Sequence, residues 1–269
     1  MKTFKKLFNR RWWWTTLLVI LGIAVLVRLG FWQLDRLDQR RDFNTWVATQ
    51  WRLDPFNVNE QPIPDDLHAL EYQRVQAQGE FDYSQQIALK NQNRNGAPGV
   101  NLITPLVLDD QRAILVARGW VPVDQGKPDK WAQYDEPSVE PIVGLIQESQ
   151  TLPNGESGTV PEEAQSEWFR LDIPAIQAQM PYELMPVFIL QLPEDGRTTN
   201  ALPFREEPIR LDEGSHLSYS IQWFMFALVL GFGYIQFIRY QEQREIRIRE
   251  AEKSQANNST LEQVSTISS

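Results

Sequence analysis

The residue best suited to chemistry in this chain is a histidine at the start of a long apolar stretch. His216 stands two positions after Gly214, and an imidazole can bind a metal ion or haem iron. At helical spacing four residues would share one face: His216, Ser220, Trp223 and Ala227. The imidazole is polar, Ser220 and Ala227 are small, and Trp223 offers an aromatic plane. Such a face could hold a flat ligand. The alternative is a histidine at the membrane interface, above small residues that let two helices pack closely.

Few other groups could do chemistry. The chain has two histidines and no cysteine, which excludes disulfides and thiolate metal sites, and no serine lies in a Gly-x-Ser-x-Gly motif. His68 follows Asp65 and Asp66 without a second ligand at the spacing of a metal site, so we expect an exposed loop histidine. The paired carboxylates lie in Pro-rich or irregular stretches, where charge solvates a loop. We therefore expect no catalytic residue, no metal site and no enzyme activity.

Two apolar stretches must position these residues. Residues 12–34 and 216–238 are each long enough to cross a bilayer, whose core of roughly 30 Å takes about 20 apolar residues as a helix. No Ala-x-Ala-like cleavage site follows the first stretch, so we expect it to be an uncleaved anchor. The second stretch begins at His216, which places the imidazole at the membrane boundary.

The distribution of charge predicts the orientation. Basic residues precede the first stretch and follow the second, so the positive-inside rule places both termini in the cytoplasm. Residues 35–214 hold 30 acidic and 15 basic residues, a net charge of −15, which argues against a nucleic-acid partner. No Arg- and Ser-rich presequence precedes the anchor, which favours a bacterial cytoplasmic membrane over the mitochondrial inner membrane.

The predicted fold class is membrane α + β. Two transmembrane helices flank a mainly antiparallel β domain on the outer side, a meander or barrel-like sheet with minor helix. Strand-like runs cover residues 74–81, 86–91, 100–108, 113–120, 142–147, 168–171 and 187–192, with a short helix over 173–179. Turn signals at Asn95-Gly96 and Asp109-Asp110 join three of the strands into an antiparallel meander.

We expect six segments along the chain. They are a basic cytoplasmic N-terminus (1–11), the first transmembrane helix (12–34), a helical extension with a Pro-rich loop (35–70), the extracytoplasmic β domain (71–215), the second transmembrane helix (216–238), and a cytoplasmic charged helix with a disordered tail (239–269). Within the β domain, residues 151–165 contain proline, glycine and many polar residues, which predicts a mobile loop.

Polar residues near the outer ends of the two helices need partners. Because the helices run in opposite directions, residues 31–36, which include Arg36, should lie level with His216 and could share one polar site with it. Arg28 and Gln222 lie within the apolar stretches and could pair with each other. The alternative for Arg28 is that its long side chain snorkels to the outer interface.

Six short motifs resemble those of a known family. Gly30-Phe-Trp-Gln-Leu-Asp-Arg36 resembles the Gly-x-Trp-Gln-x-x-Arg signature of the Surfeit-locus-one family of cytochrome c oxidase assembly proteins. The other five follow in the family's order: Gly79-Glu-Phe-Asp82, Asn93-Arg-Asn-Gly-Ala-Pro-Gly99, Ile103-Thr-Pro-Leu106, Arg118-Gly-Trp-Val-Pro122 and His216-Leu-Ser-Tyr-Ser-Ile-Gln-Trp223. One departure is Val100, where the family often has an aromatic residue.

This resemblance implies a function. The family assists the assembly of haem-copper oxidases, at the insertion or retention of haem a in the catalytic subunit, without catalysing a reaction. It implies that His216 is the suspected haem ligand and that haem a binds non-covalently. Trp223, on the same helix face as His216, and Arg36, level with it, are weaker candidates for haem contact. The implied partners are the catalytic subunit of cytochrome c oxidase, the enzymes of haem-a synthesis and the lipid bilayer.

The motif residues of the β domain suit structural roles. Gly79 and Gly99 fit positions where a side chain would obstruct the backbone, and Trp120 offers a large buried anchor. Arg118 could face a partner or pair with a carboxylate, and we expect the pair. A Gly79→Glu change should therefore damage folding.

Two other functions compete with a haem chaperone. A cofactor-free scaffold could hold an oxidase assembly intermediate on its outer domain, and His216 would then be dispensable. A two-span sensor or polysaccharide co-polymerase would share the topology. Such co-polymerases favour long helical hairpins outside the membrane, so the β-rich middle domain argues against them.

Overall fold

The computed structural model describes residues 12–108, 112–136, 141–152, 156–198, 200–206 and 211–267, with side chains up to residue 254. The chain divides into two compact units. The two long helices, up to Phe43 and from Asp212 onward, form the helical unit, and Asn44–Leu211 forms the β unit.

The helical unit is an antiparallel hairpin of α1 (Trp13–Gln50) and α3 (His216–Ile267). The hydroxyls of Thr16 and Tyr234 lie 2.7 Å apart near one end, and the Ser220 hydroxyl donates to the Gly30 carbonyl near the other, at 3.0 Å. Both helices are long and apolar enough to cross a membrane. In the most apolar 18-residue stretch of each helix, only 6% and 11% of the residues are buried within the chain. Their apolar side chains therefore face outward, unlike those of a soluble core helix.

Helix α3 is longer than the sequence analysis expected. It continues to Ile267, through a segment for which we predicted a disordered tail. Proline and glycine are absent after Gly233, so no residue there breaks the backbone hydrogen-bond pattern. The helix has 52 residues and is therefore about 78 Å long, more than twice what a bilayer core requires.

The β unit is built on one mixed, mainly antiparallel sheet. Its elements are β1 (Phe56–Asn57), β2 (Arg74–Ala77), β3 (Glu80–Phe81), β4 (Ile87–Arg94), β5 (Ala97–Val107), β6 (Arg112–Pro122), β7 (Ile142–Glu148), β8 (Glu167–Trp168), α2 (Ile173–Gln177) and β9 (Glu183–Gln191), with short 3-10 turns over Leu67–Leu70, Tyr83–Gln85 and Pro128–Tyr134. The strand order is β1-β2-β7-β9-β6-β5-β4-β8, and β3 pairs with β5. The predicted fold class is thus confirmed, although the described pairings do not close the sheet into a barrel.

The predicted meander of β4, β5 and β6 is confirmed as two antiparallel ladders. Three other ladders are parallel: β1 with β2, β4 with β8, and β6 with β9. The predicted strand over residues 74–81 is two strands, because the chain leaves its pairing with β7 after Ala77 and pairs with β5 from Glu80. The predicted strand at 168–171 is only the two-residue β8. The Asp109-Asp110 connection lies outside the described residues.

Strand β6 is buried on both faces of the sheet. Ile114 and Val116 belong to one hydrophobic cluster, and Leu115 and Ala117 to a second, because side chains alternate along a strand. The second cluster also takes Ile176 from α2. A sheet with a core on each face needs continuous apolar strands, which is why β6 shows little polar alternation.

Arg118 is a buried structural residue, as predicted. Its side chain is fully buried, and its guanidinium donates to Gln86 Oε1 at 3.0 Å and to the Tyr134 carbonyl. Glu136 lies 3.7 Å away. Burial lowers the pKa of Arg118, while Tyr83 and Glu136 act in the opposite direction. The pairing interpretation is confirmed.

Candidate functional site in the helix hairpin

A tight turn places His216 at the first position of α3. Gly214 has φ +65°, a conformation that glycine adopts without strain, and its amide donates to Asp212 Oδ1 at 3.1 Å. The first helical turn is closed by Tyr219 N and the Ser218 hydroxyl, which both donate to the Ser215 carbonyl. The turn therefore sets the direction in which the imidazole leaves the backbone.

The imidazole of His216 is held by Gln33 of the opposite helix. Its Nδ1 lies 2.9 Å from Gln33 Oε1. An amide oxygen only accepts hydrogen bonds, so a hydrogen bond in this contact is donated by Nδ1, and in that tautomer Nε2 carries the lone pair. This is the tautomer that a metal-binding histidine takes when its other nitrogen is hydrogen-bonded. Residues 31–36 do lie level with His216, as predicted.

The edge of the ring that carries Nε2 faces Gly214. A Cβ atom at position 214 would be in van der Waals contact with this edge, at 3.6 Å from His216 Cδ2 and 3.7 Å from Nε2. Among the described residues, the half-buried imidazole has a hydrogen-bond contact at Nδ1 and none at Nε2. These residues fit a histidine-ligated haem, for which His216 Nε2 would be the iron ligand.

One turn further into the hairpin, the helices approach closely. Ser220, which is 1% exposed, donates to the Gly30 carbonyl. A Cβ atom at Gly30 would lie 2.6 Å from the Phe224 ring, so only glycine fits there without movement. Ala227 is buried as well. Ser220 thus serves close helix packing, the alternative that the sequence analysis left open for the stripe.

Trp223 and Arg36 are the two other candidates for haem contact beside the His216–Gln33 pair. Trp223 is half-buried and packs edge to face against Phe226, with ring centroids 5.9 Å apart. It lies about 10 Å along the helix axis from His216. The exposed Arg36 guanidinium lies over Trp32 at 5.8 Å and donates to Gln39 Oε1 at 2.9 Å. The structure therefore brings Gln33 to the imidazole, while these contacts of Arg36 run along its own helix.

An ion pair ties the turn before α3 to α1. Arg41 donates through two nitrogens to Glu213, at 2.8 and 3.0 Å. This hydrogen bonding raises the pKa of Arg41 and lowers that of Glu213. Arg40 Nε also donates to the Asp212 carbonyl at 3.1 Å. The two residues before Gly214 are thus held by contacts to the helix that carries Gln33.

Arg28 does not take the partner that we proposed from the sequence. It lies 4.0 Å from Asp35, seven positions along the same helix, and both side chains are largely exposed. No hydrogen bond joins it to Gln222 among the described residues, and Gln222 is exposed. The geometry agrees with the alternative, in which the long side chain reaches toward the outer interface.

The expectation that His68 lacks a second potential ligand is wrong. Its Nδ1 lies 3.2 Å from Glu71 and 3.1 Å from Glu148. Glu71 is only three residues away, a spacing that could have been noticed, but Glu148 is 80 residues away. No local pattern reveals that contact, because it depends on how β7 lies beside the Leu67–Leu70 turn.

The fold and the site define a class of α + β protein that has two candidate membrane-anchoring helices. A candidate ligand histidine lies at the start of the second of these helices. Residues 20–228 match the SURF1 family, so the chain belongs to this family, the Surfeit-locus-one family of the sequence motifs. A SURF1-like protein of Rickettsia felis is 26% identical over 233 residues, which cover 82% of this chain and 95% of that protein.

Two further relatives come from eukaryotes. Surfeit locus protein 1 of Arabidopsis thaliana is 25% identical over 267 residues, covering 78% of this chain and 73% of that protein. Cytochrome oxidase assembly protein SHY1 of Saccharomyces cerevisiae is 28% identical over 127 residues, covering 45% of this chain and 33% of its own length. The family match reaches from inside α1 to inside α3, so it includes both Gln33 and His216.

Proposed function

We propose that this protein is a membrane-bound assembly factor for cytochrome c oxidase and not an enzyme. Family membership supports this role, as does similarity to a yeast relative named as a cytochrome oxidase assembly protein. Its partner is the catalytic subunit of the oxidase. The observation that carries the finer proposal is the 2.9 Å contact between His216 and Gln33, because it leaves Nε2 free for a ligand.

The cargo in this proposal is haem a, held non-covalently before it is inserted into the catalytic subunit. His216 ligates the iron through Nε2, and Gln33 holds the ring in the tautomer that ligation needs. Trp223 lies deeper on the same helix and offers an aromatic surface, and Arg36 offers a cation to an acidic group of the porphyrin. The enzymes of haem-a synthesis supply the cargo. Haem contributes an iron centre that accepts an imidazole ligand.

The proposed location is a bacterial cytoplasmic membrane, with both termini in the cytoplasm and the β unit outside. The basic residues that flank the two long helices support this orientation. The Rickettsia relative supports a bacterial setting. The His216–Gln33 pair would then lie at the outer boundary, where the catalytic subunit can reach it.

The visible spectrum tests haem binding. The full chain is purified in detergent from cells that make haem a, beside His216→Ala and the control Ser218→Ala, which changes an exposed neighbour on α3. We expect a Soret band in the wild type and the control, and its loss in His216→Ala. A colourless wild type would overturn the haem role, and an equal band in all three proteins would overturn His216 as the haem ligand.

The assembly role is tested separately in cells that lack the gene. We expect oxidase activity to fall while haem synthesis continues, and the wild-type gene to restore it. Unchanged oxidase activity would refute the assembly role itself. Full restoration by His216→Ala, together with a colourless wild type, would instead identify a cofactor-free scaffold.

A further inference from the structure

Three side chains of the β unit converge on one point. They are His68, Glu71 and Glu148, and one potential ligand atom from each lies within 4.8 Å of the other two. His68 Nδ1 is 3.2 Å from Glu71 Oε2 and 3.1 Å from Glu148 Oε1. Neighbouring ligands of a divalent ion, each about 2.0–2.2 Å from it, are separated by about 3 Å. The nitrogen already has this spacing to each of the two oxygens.

Backbone hydrogen bonds hold the three residues in register. Glu71 N donates to the His68 carbonyl at 3.2 Å, which closes the short turn that carries both side chains. Tyr72 N donates to the Ile146 carbonyl at 2.9 Å, and Ile146 N donates to the Gln73 carbonyl at 3.0 Å. Glu148 follows two residues later on β7. The turn and the strand are thus joined directly beside the cluster.

The imidazole plane is also fixed from one side. The Trp46 ring stacks on His68 with centroids 4.8 Å apart and an interplanar angle of 19°, and Tyr72 packs edge on against Trp46 at 5.5 Å. A stacked imidazole cannot rotate freely out of the cluster. Glu71 is mostly buried, with 21% of its side chain exposed, whereas His68 is 67% exposed. The site is therefore anchored on its inner side and open to solvent on its outer side.

We propose that His68, Glu71 and Glu148 bind one divalent transition-metal ion, of which Zn²⁺ is the best match. One imidazole and two carboxylates are a donor set that Zn²⁺ takes, with water in the remaining position. Two carboxylates also balance the charge of a divalent ion. Ca²⁺ and Mg²⁺ are poorer matches because they select oxygen ligands alone. The site lies in the β unit, and its three ligands do not include the proposed haem ligand His216.

Zinc titration of the full chain in detergent, after treatment with a chelator, tests this site. Calorimetry should show one Zn²⁺ per chain. His68→Gln and Glu148→Gln should each weaken binding by about tenfold or more, since a lost ligand costs at least as much as a lost supporting contact. Glu183→Gln, an exposed carboxylate at the first position of β9, is the matched control and should leave binding unchanged. Melting curves confirm that the variants are folded.

Trp46 provides a second readout. Bound Co²⁺ should quench the fluorescence of a tryptophan stacked on its ligand, and Trp46→Phe should remove this quenching while it retains Zn²⁺ binding. Absence of Zn²⁺ binding by the wild type would refute the site. Equal affinity in His68→Gln would refute it too, because binding would then lie elsewhere. Neither outcome depends on haem or on the oxidase.

Discussion

His216 Nδ1 lies 2.9 Å from Gln33 Oε1, although the two residues are 183 positions apart in the chain. The contact joins the Gly-x-Trp-Gln motif at the outer part of α1 to the motif that opens α3. Neither motif holds both sides of the contact: one supplies the imidazole and the other supplies the side-chain amide. A change in Gln33 should therefore alter what His216 can do.

The first prediction concerns Gln33→Leu. Leucine has a similar size but no oxygen, so the imidazole loses the acceptor that fixes its hydrogen on Nδ1. Loss of such a supporting hydrogen bond typically weakens ligand binding about 10- to 100-fold, and we expect a haem titration to show this while His216→Ala binds least. Gln222→Leu, an exposed residue of α3, is the matched control. Equal affinity in Gln33→Leu and wild type would contradict the role of Gln33.

Gly30→Leu should separate the two helices at the level of the site. A Cβ atom there already lies 2.6 Å from the Phe224 ring, and overpacking of this kind costs about 1–3 kcal/mol. The cysteine-free chain allows a clean assay, in which Gln33→Cys and His216→Cys introduce the two thiols to be bridged by a short cross-linker. We expect the cross-linking yield to fall.

Two matched variants make the Gly30 result specific. Phe224→Ala in the same chain should restore cross-linking, because it removes the group that the new side chain would meet. Gly233→Leu is a control, since nothing lies within 4 Å of a Cβ atom at that position. An unchanged yield in Gly30→Leu would show that the close contact at Gly30 does not set the helix separation.

The sequence predicts the length and direction of the two helices in the hairpin, but not their rotation about their own axes. Antiparallel helices of bilayer length place residues 31–36 opposite His216 whatever their rotation, and this prediction is confirmed. Which of the six residues faces the ring depends on the rotation of α1, which packing against Ser220 and Phe224 decides. Sequence alone therefore offered Arg36, whereas the structure places Gln33 there.

In the β unit too, features set by local sequence were predicted and contacts between distant segments were not. The three strands β4, β5 and β6 end within three residues of their predicted bounds, because turn residues and apolar runs are local signals. The parallel pairing of β6 with β9 and the contact of His68 with Glu148 join distant segments. No local signal encodes them, so both were missed.

Gly79→Glu should destabilise the β unit. A Cβ atom at Gly79 would lie 2.3 Å from the Val107 carbonyl oxygen, and backbone cannot move aside as a side-chain tip can. Even Gly79→Ala should cost about 1–3 kcal/mol, and glutamate adds a charge beside the Leu106 side chain. The measurement is urea unfolding of the full chain in detergent, followed by near-ultraviolet circular dichroism.

The matched control for Gly79 is Gly96→Asn. Gly96 has φ +83° and open space around its Cβ position, and asparagine tolerates this backbone conformation better than most residues. We expect little change in its unfolding midpoint. If Gly79→Glu and Gly96→Asn unfold at the same urea concentration as wild type, close approach of the Val107 backbone is not what requires glycine at position 79.

Asp172→Asn tests a buried carboxylate that caps α2. Asp172 is 3% exposed and accepts hydrogen bonds from the Ser157 hydroxyl at 2.6 Å, Gly158 N at 2.5 Å and Ala175 N at 3.3 Å. Burial raises the pKa of Asp172, but these hydrogen bonds together lower it below its ordinary value. The ionised form therefore stabilises the fold. At pH 7 the substitution should cost about 1–3 kcal/mol, because the amide keeps one oxygen but turns an NH₂ group toward a buried donor, whose hydrogen bond is then lost.

The pH dependence follows from the direction of that shift. A carboxylate with a lowered pKa in the folded state contributes its full stability above its unfolded pKa of about 3.9, and loses it as the pH falls through the folded value. The unfolding free energy of wild type should thus fall below about pH 4 more steeply than that of Asp172→Asn. Asp65→Asn, in an exposed loop, controls for the loss of one negative charge. A constant difference between wild type and Asp172→Asn from pH 7 down to pH 3 would show that ionised Asp172 is not what anchors residues 157 and 158 to the start of α2.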